Sequence, residues 1–167
     1  KLYFRGKLTY AREFASGPAH IPPILIITAD RGLVTPETRL RTTDLERFCQ
    51  VDISAADERY LAPLRRDASD VATRLASDSS IVLLGSIATG KYIDALLDVF
   101  AERLVFPSEF VGRGDMSRGG LLLRSAREGR ELGYIPVAGA VRRGKRPPKL
   151  DPAGRRRVDE PAVRIGD

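Results

Sequence analysis

Residues 81–100, IVLLGSIATGKYIDALLDVF, decide how the rest of the chain is read. Ile81, Val82, Leu83 and Leu84 form a continuous apolar run, as a strand buried on both faces requires. Gly85 ends the run, and Gly90 stands just before an amphipathic segment. There Ile93, Leu96, Leu97 and Phe100 recur at i, i+3, i+4 and i+7, one face of a helix. Strand, glycine-bounded turn and helix make half of a parallel βαβ unit. Ligands of open α/β sheets sit at the carboxyl end of such a strand, so the stretch points to a site without naming a reaction.

Working outward, residues 24–28 (ILIIT) read as a second strand, apolar on both faces and followed by the polar loop ADRGLVTPET. Two strands apolar at every position predict adjacent, parallel, interior strands with helices on each face, a three-layer α/β domain. Residues 104–106 read as a third short strand stopped by Pro107, and 134–137 as a last extended segment. Helices are expected over 2–14 in part, where Tyr3, Leu8, Ala11 and Phe14 share a face that Gly6 weakens, and over 42–51. In the latter Thr43 or Asp44 is the N-cap, with Leu45 and Phe48 inward. A third helix spans 61–75, beginning near Leu61 because Pro63 is tolerated only in a first turn, and a fourth spans 121–131. The expected organisation is one domain over 1–137, with room for an upstream strand because Lys1 is not Met, and a basic tail over 138–167.

Composition narrows the function classes. A 167-residue chain that is 43% hydrophobic can bury one core. No apolar run approaches the roughly 20 residues of a bilayer span, and KLYFRGKLTY lacks a signal peptide's apolar region, so no membrane role is expected. One cysteine, Cys49, cannot form an internal disulfide, which fits a reducing, cytoplasmic compartment. His20 lies among Pro18, Pro22 and Pro23 in a loop. One His and one Cys argue against Ser-His or Cys-His catalysis and against a Cys/His zinc site, so no metal is expected.

Three loops carry candidate chemistry. GSIATGKY has Walker A spacing through Gly85, Gly90 and Lys91, with Ser86 and Thr89 between them. Tyr92 occupies the place of the magnesium-holding Ser or Thr, and no apolar strand ends in the second metal-holding Asp. The loop therefore reads as a turn with affinity for an anion or polar ligand rather than an NTPase site. Asp30, Arg31 and Gly32 either face the same crevice or solvate a tight turn. In VGRGDMSRGG, four glycines (Gly112, Gly114, Gly119 and Gly120) permit close approach to a ligand, while Arg113 and Arg118 suit phosphate or carboxylate; the alternative is a solvated loop. If the sheet is parallel, these loops converge into a nucleotide or nucleobase crevice. Tyr92 stacks on a base there, or else is a core-edge tyrosine with its hydroxyl in water. Acid–base work would fall to Asp30 or Asp115, with Tyr92 or Lys91, but no catalytic role and no cofactor is assigned.

The charge is concentrated at the end of the chain. Between residues 142 and 157 stand Arg142, Arg143, Lys145, Arg146, Lys149, Arg155, Arg156 and Arg157 against one acid, Asp151, a local charge of +7. The remaining 20 basic and 21 acidic groups leave −1 for the rest of the chain. Gly144, Pro147, Pro148, Pro152 and Gly154 interrupt the run, so it reads as an extended arm that tracks a polyanion by counterion release. Without an aromatic residue its contacts would be sequence-independent. The alternatives are a solubilising tail and an arm docked on an acidic partner or on its own body.

Taken together, several short motifs resemble an uncharacterised bacterial and phage Rossmann-like family. They are Leu2-Tyr3-Phe4 with Tyr10-Ala11; Ala29, Gly32, Leu33 and Pro36; Gly90, Lys91, Tyr92 and Leu96; and Pro107, Gly112 and Gly114. That family is remotely similar to the peroxide-stress protein YaaA and to the uracil-DNA-glycosylase-like domain of archaeosine synthase. The resemblance spans roughly residues 1–137 and implies a Rossmann-like or uracil-DNA-glycosylase-like sandwich with a mainly parallel central sheet. It implies a link to nucleobases, including modified bases in DNA or tRNA, with Ala29, Gly32, Gly90, Tyr92 and Gly114 at pocket positions. The rival expectation is a non-catalytic protein-interaction module of a bacterial defence or modification system, its body a scaffold whose loops contact a protein.

Overall fold

A computed structural model of the chain describes residues 2–88, 90–148 and 150. Within them run α1 (Leu2–Phe14), β1 (Ile26–Ile27), β2 (Leu33–Val34), α2 (Thr42–Gln50), α3 (Glu58–Arg74), β3 (Ile81–Val82), α4 (Ile93–Phe100), β4 (Leu104–Pro107), α5 (Asp115–Glu128) and β5 (Tyr134–Pro136). The protein is a mixed α/β fold. β4 is buried at all four positions and is the central strand of a three-stranded sheet ordered β3-β4-β5. It pairs in parallel with β3 (Ile81 opposite Leu104) and antiparallel with β5 (Phe106 opposite Ile135). Tyr60, Leu64, Ile87, Ile93, Phe106, Phe110 and Leu122 lie in the core that surrounds it. Among the described residues, no helix is long and apolar enough to cross a membrane.

The expected pairing of residues 24–28 with 81–84 does not form, and the central sheet is not mainly parallel. β1 pairs antiparallel with β2 in a separate hairpin, while β3 is an edge strand with Val82 exposed. Local turn chemistry is the reason. The Thr28 N–H and hydroxyl both donate to the Gly32 carbonyl, at 2.9 and 3.0 Å, and the Arg31 N–H donates to the Thr28 hydroxyl at 3.1 Å. Gly32, at φ +68°, turns the chain back, so the hydrogen bonds of β1 go to its sequence neighbour.

Three helices differ from expectation. α3 starts at Glu58 rather than near Leu61, because the Asp57 side chain caps it by accepting the Arg59 N–H at 3.0 Å. Pro63 is thereby carried past the first turn, where its ring removes one helical hydrogen bond. In α2 the N-cap is Arg41. Its N–H donates to the buried Asp44 carboxylate at 2.8 Å, while Leu45 points outward at 51% exposure. α5 begins at Asp115, six residues before the expected start, so the glycine-rich segment is largely helical.

Those glycines serve a helix crossing. A Cβ on Gly6 of α1 would stand 2.7 Å from the Gly119 carbonyl oxygen, and one on Gly119 would stand 3.0 Å from Tyr3 Cα. The two backbones meet where neither residue has a side chain. Tyrosines of α1 then fasten it to the sheet. Tyr3 donates to the Leu84 carbonyl at 2.9 Å; Tyr10 shares a 2.6 Å hydrogen bond with Tyr134 and accepts the Leu132 N–H at 2.9 Å. Replacing Gly6→Leu should lower the denaturant midpoint by an amount worth about 1–3 kcal/mol, because an overpacked backbone contact outweighs the roughly 1 kcal/mol of added helix propensity.

The α3 cap supplies a pH dependence. Hydrogen bonds from the Arg59 side chain, then from backbone N–H groups, hold the Asp57 carboxyl down to about 2 from 3.8. The folded state therefore binds its proton less readily than the unfolded chain. This stabilisation is complete above the unfolded value and is lost as pH falls through about 2. Asp57→Asn should flatten part of the acid limb of a stability–pH profile, measured by urea unfolding between about pH 5 and pH 2.

Candidate functional site

α5 has two working faces. Arg118, Gly119, Leu122 and Ser125 are buried. On the other side Met116, Gly120, Leu123 and Arg127 recur at helical spacing, with Ser117 and Arg124 beside them. Residues 142–148 lie against the domain rather than extending from it. Gly112, at φ +73°, meets the Lys145 carbonyl so closely that a Cβ would lie 2.3 Å from its oxygen. The Arg143 guanidinium donates to the Ala88 carbonyl at 3.3 Å, and that of Arg113 to the Pro148 carbonyl at 3.4 Å. Docking on the body, one of the alternatives for the basic segment, holds for these residues; Lys149, Arg155, Arg156 and Arg157 lie outside the described residues.

Between α5 and this segment lies a cleft of about 480 Å3. Four arginines line it, Arg113, Arg124 and Arg127 from the α5 side and Arg146 from the opposite wall, and among the described residues no acid does. Met116, Leu123, Pro147, Pro148 and Leu150 supply an apolar remainder. Arg113 is held in place by the fold: its Nη1 also donates to the Ser117 hydroxyl at 3.2 Å, while its covered Nε has no hydrogen-bond partner among the described residues. Guanidinium groups in such a setting suit phosphate or carboxylate oxygens, which they can hold through two parallel hydrogen bonds.

The remaining candidate residues have other duties. Arg118 is 5% exposed. Its Nε and Nη2 donate to the Phe110 carbonyl at 3.3 and 3.2 Å, and its Nη1 lies 3.8 Å from the exposed Asp115 carboxylate. Gly114 is the N-cap of α5. In the turn after β1, Arg31 pairs with Asp44, and Asp30 accepts from Arg47 at 3.0 Å. The hydrogen bond from the Arg41 N–H, followed by the nearby charges of Arg31 and Arg47, holds the Asp44 carboxyl below its usual range. Gly32 lies under α3, where a Cβ would be 2.5 Å from the Pro63 carbonyl oxygen. This turn is stitched to α2 and α3 by these contacts, while the buried Asp30 Oδ1 has no hydrogen-bond partner among the described residues.

The loop after β3 is likewise closed by its own side chains. The Tyr92 hydroxyl donates to the Ser86 carbonyl at 2.9 Å and lies directly over Gly85, and Ile87 is fully buried. Burial raises the Tyr92 hydroxyl above its ordinary range and lifts Tyr60, whose own buried hydroxyl has no partner, to about 12; both stay neutral near pH 7. α4 starts only at Ile93, with Asp94 in its first turn and its carboxylate 2.9 Å from where a Gly90 Cβ would stand. An acid at the place where a Walker loop cradles phosphate counts against an anion there. Lys91 is exposed just before the helix, and Thr89 lies outside the described residues. His20 is a loop latch, its ring nitrogen 3.2 Å from the Arg74 carbonyl oxygen. Among the described residues, no cluster of three His, Cys, Asp or Glu side chains is arranged to hold a metal.

Of the expected crevice, Arg113 lines the cleft, joined there by Arg146 from the basic segment. Arg124 and Arg127 were not singled out by sequence, although their i, i+3 spacing on a helical segment puts them on one side. Their signal depends on what lies opposite. No family model matches the chain, and no curated protein or solved structure matches it either.

Because Arg118 holds a buried carbonyl, Arg118→Met should destabilise the fold by about 1–3 kcal/mol in chemical denaturation. Arg113→Ala, at a half-buried position on the cleft, should cost less than half as much. Equal losses would place both arginines in the same structural role.

Proposed function

We propose that the chain binds nucleic acid or a nucleotide through its phosphates, in the cleft between α5 and residues 146–148 with Leu150. The observation that carries this reading is the set of four arginines lining one cleft, with no acid among the described residues that line it. Charge of one sign beside low-dielectric walls concentrates the field and draws in a counter-ion. The basic sequence also continues past Arg146 to Lys145, Arg143 and Arg142, which suits a repeating anion better than an isolated one. Lys149, Arg155, Arg156 and Arg157 extend the same track in sequence. The Rossmann-like family and its nucleobase link belong to this reading, as do chemistry on modified bases and a cytoplasmic setting. No residue is assigned a chemical step.

A second reading, the protein-interaction module, draws on a different surface. Leu40, Leu45 and Ile53 stand exposed at and around α2 at 43, 51 and 41%. Exposed apolar side chains along one stretch of the chain suit a protein partner.

Fluorescence anisotropy with a labelled oligonucleotide over a salt series tests the first reading. Arg127→Ala and Arg146→Ala should each weaken binding and reduce the slope of log K against log salt by about 1. A chain ending at Val141 should lose more affinity and more slope than either. Affinity and slope unchanged in all three variants would overturn it.

A further inference from the structure

We infer that the cleft takes single-stranded nucleic acid, with one unpaired nucleotide seated between α5 and residues 146–148 with Leu150, in preference to a duplex. The inference rests on the phosphate-binding reading and adds a role for the apolar half of the cleft. Met116 is 68% exposed, the second most exposed large apolar side chain named in the described fold after Val141, and it stands among arginines. A bare phosphate has no use for Met116, Leu123 and the two prolines opposite. Duplex backbone has none either, because its bases are stacked on one another and offer only their edges in the grooves.

An unpaired base is different: both its faces are apolar and open. It can lie against Met116 and Leu123 while guanidinium planes from α5 supply the stacking surface that aromatic residues give in other single-strand sites. Size agrees. A volume of about 480 Å3 is that of a small-molecule pocket, large enough for one nucleotide and too small to admit a base-paired helix. The far wall is stiff, since Pro147 and Pro148 each fix a backbone torsion, and Arg113 is already tied to Ser117 and to the Pro148 carbonyl. Little ordering is then left to the moment of binding, which favours a defined seat over a diffuse electrostatic contact. An acidic peptide with apolar side chains shares part of this chemistry. The basic residues that continue along 142–146 favour the regularly repeating anion.

The test uses the full chain and labelled probes of about 12 nucleotides at one salt concentration: a single strand, the same sequence as a duplex, and an abasic single strand, with polyglutamate of equal charge as a competitor. The single strand should bind about ten-fold tighter than the duplex, the size of one base-stacking contact, and the abasic strand should lose that advantage. Met116→Ser, at an exposed position, should bring the single-strand and duplex affinities together without changing the salt slope, since it removes apolar contact and no charge. Equal affinity for single strand and duplex, with a normal salt slope, would overturn this inference and leave the phosphate reading standing. No binding to any nucleic-acid probe would overturn both. Displacement of the single strand by polyglutamate at equal charge concentration would also overturn the inference, in favour of an acidic protein partner.

Discussion

The close crossing of α1 and α5 at Gly6 and Gly119 is the constraint on which the rest of the structure depends. With a carbonyl oxygen only 2.7 Å from where a Cβ would be, the two helix backbones lie nearer than any side chain allows. That contact fixes how α5 is rotated about its axis. Arg118, Leu122 and Ser125 must then face inward, and the row from Met116 to Arg127 must face the cleft. The same contact sets the height of α1, so that Tyr3 reaches the carbonyl of Leu84 beyond β3 and Tyr10 reaches Tyr134 on β5. One helix therefore ties together both outer strands of the three-stranded sheet.

Much of this was legible in residue patterns. The helical period through Ile93 and Phe100 and the strand at 104–106 appear where the pattern puts them, and the apolar run at 81–84 yields a strand over Ile81–Val82, because each is a local property of the chain. The partner of each strand was less legible. An apolar run marks a strand but neither its partner nor its depth: β3 lies at an edge with Val82 exposed, and Thr28 with Gly32 decides the pairing of β1 through a turn of five residues. The glycines of residues 112–120 misled for a related reason. A glycine-rich stretch reads as a loop when glycine's low helix propensity is the only consideration, yet Gly119 is helical because a second helix needs the space its side chain would fill.

The site was legible in its chemistry more than in its geometry. Of the arginines that sequence singles out, Arg113 and Arg146 both line the cleft, but sequence places them apart: one in a crevice at strand ends, the other in an extended arm. Asp30 with Arg31, and Asp115 with Arg118, stand next to or within three residues of each other, and in the fold these charges are engaged in ion pairs. Sequence neighbours of opposite sign readily become structural pairs. The four arginines of the cleft come from segments up to 33 residues apart (Arg113 to Arg146), and their grouping emerges only when the chain folds back.

The way residues 142–148 dock bears on how the proposed site would behave. Their contacts with the body run to neutral carbonyl groups, from Arg143 to Ala88 and from Arg113 to Pro148, and to the bare backbone of Gly112. A carbonyl satisfies a guanidinium's hydrogen bond without cancelling its charge, so the docked segment keeps its positive charge beside that of α5. Charges of like sign on opposite walls of a cleft contribute a repulsion to docking, whatever else each guanidinium contacts. An anion that bridges Arg146 on one wall and Arg113, Arg124 or Arg127 on the other reverses the sign of that contribution. By linkage, whatever free energy the anion gains from the closed wall is returned as stabilisation of the closed wall. On the proposed reading, residues 142–148 would be part of the site and, equally, a segment whose attachment to the domain a bound anion would strengthen.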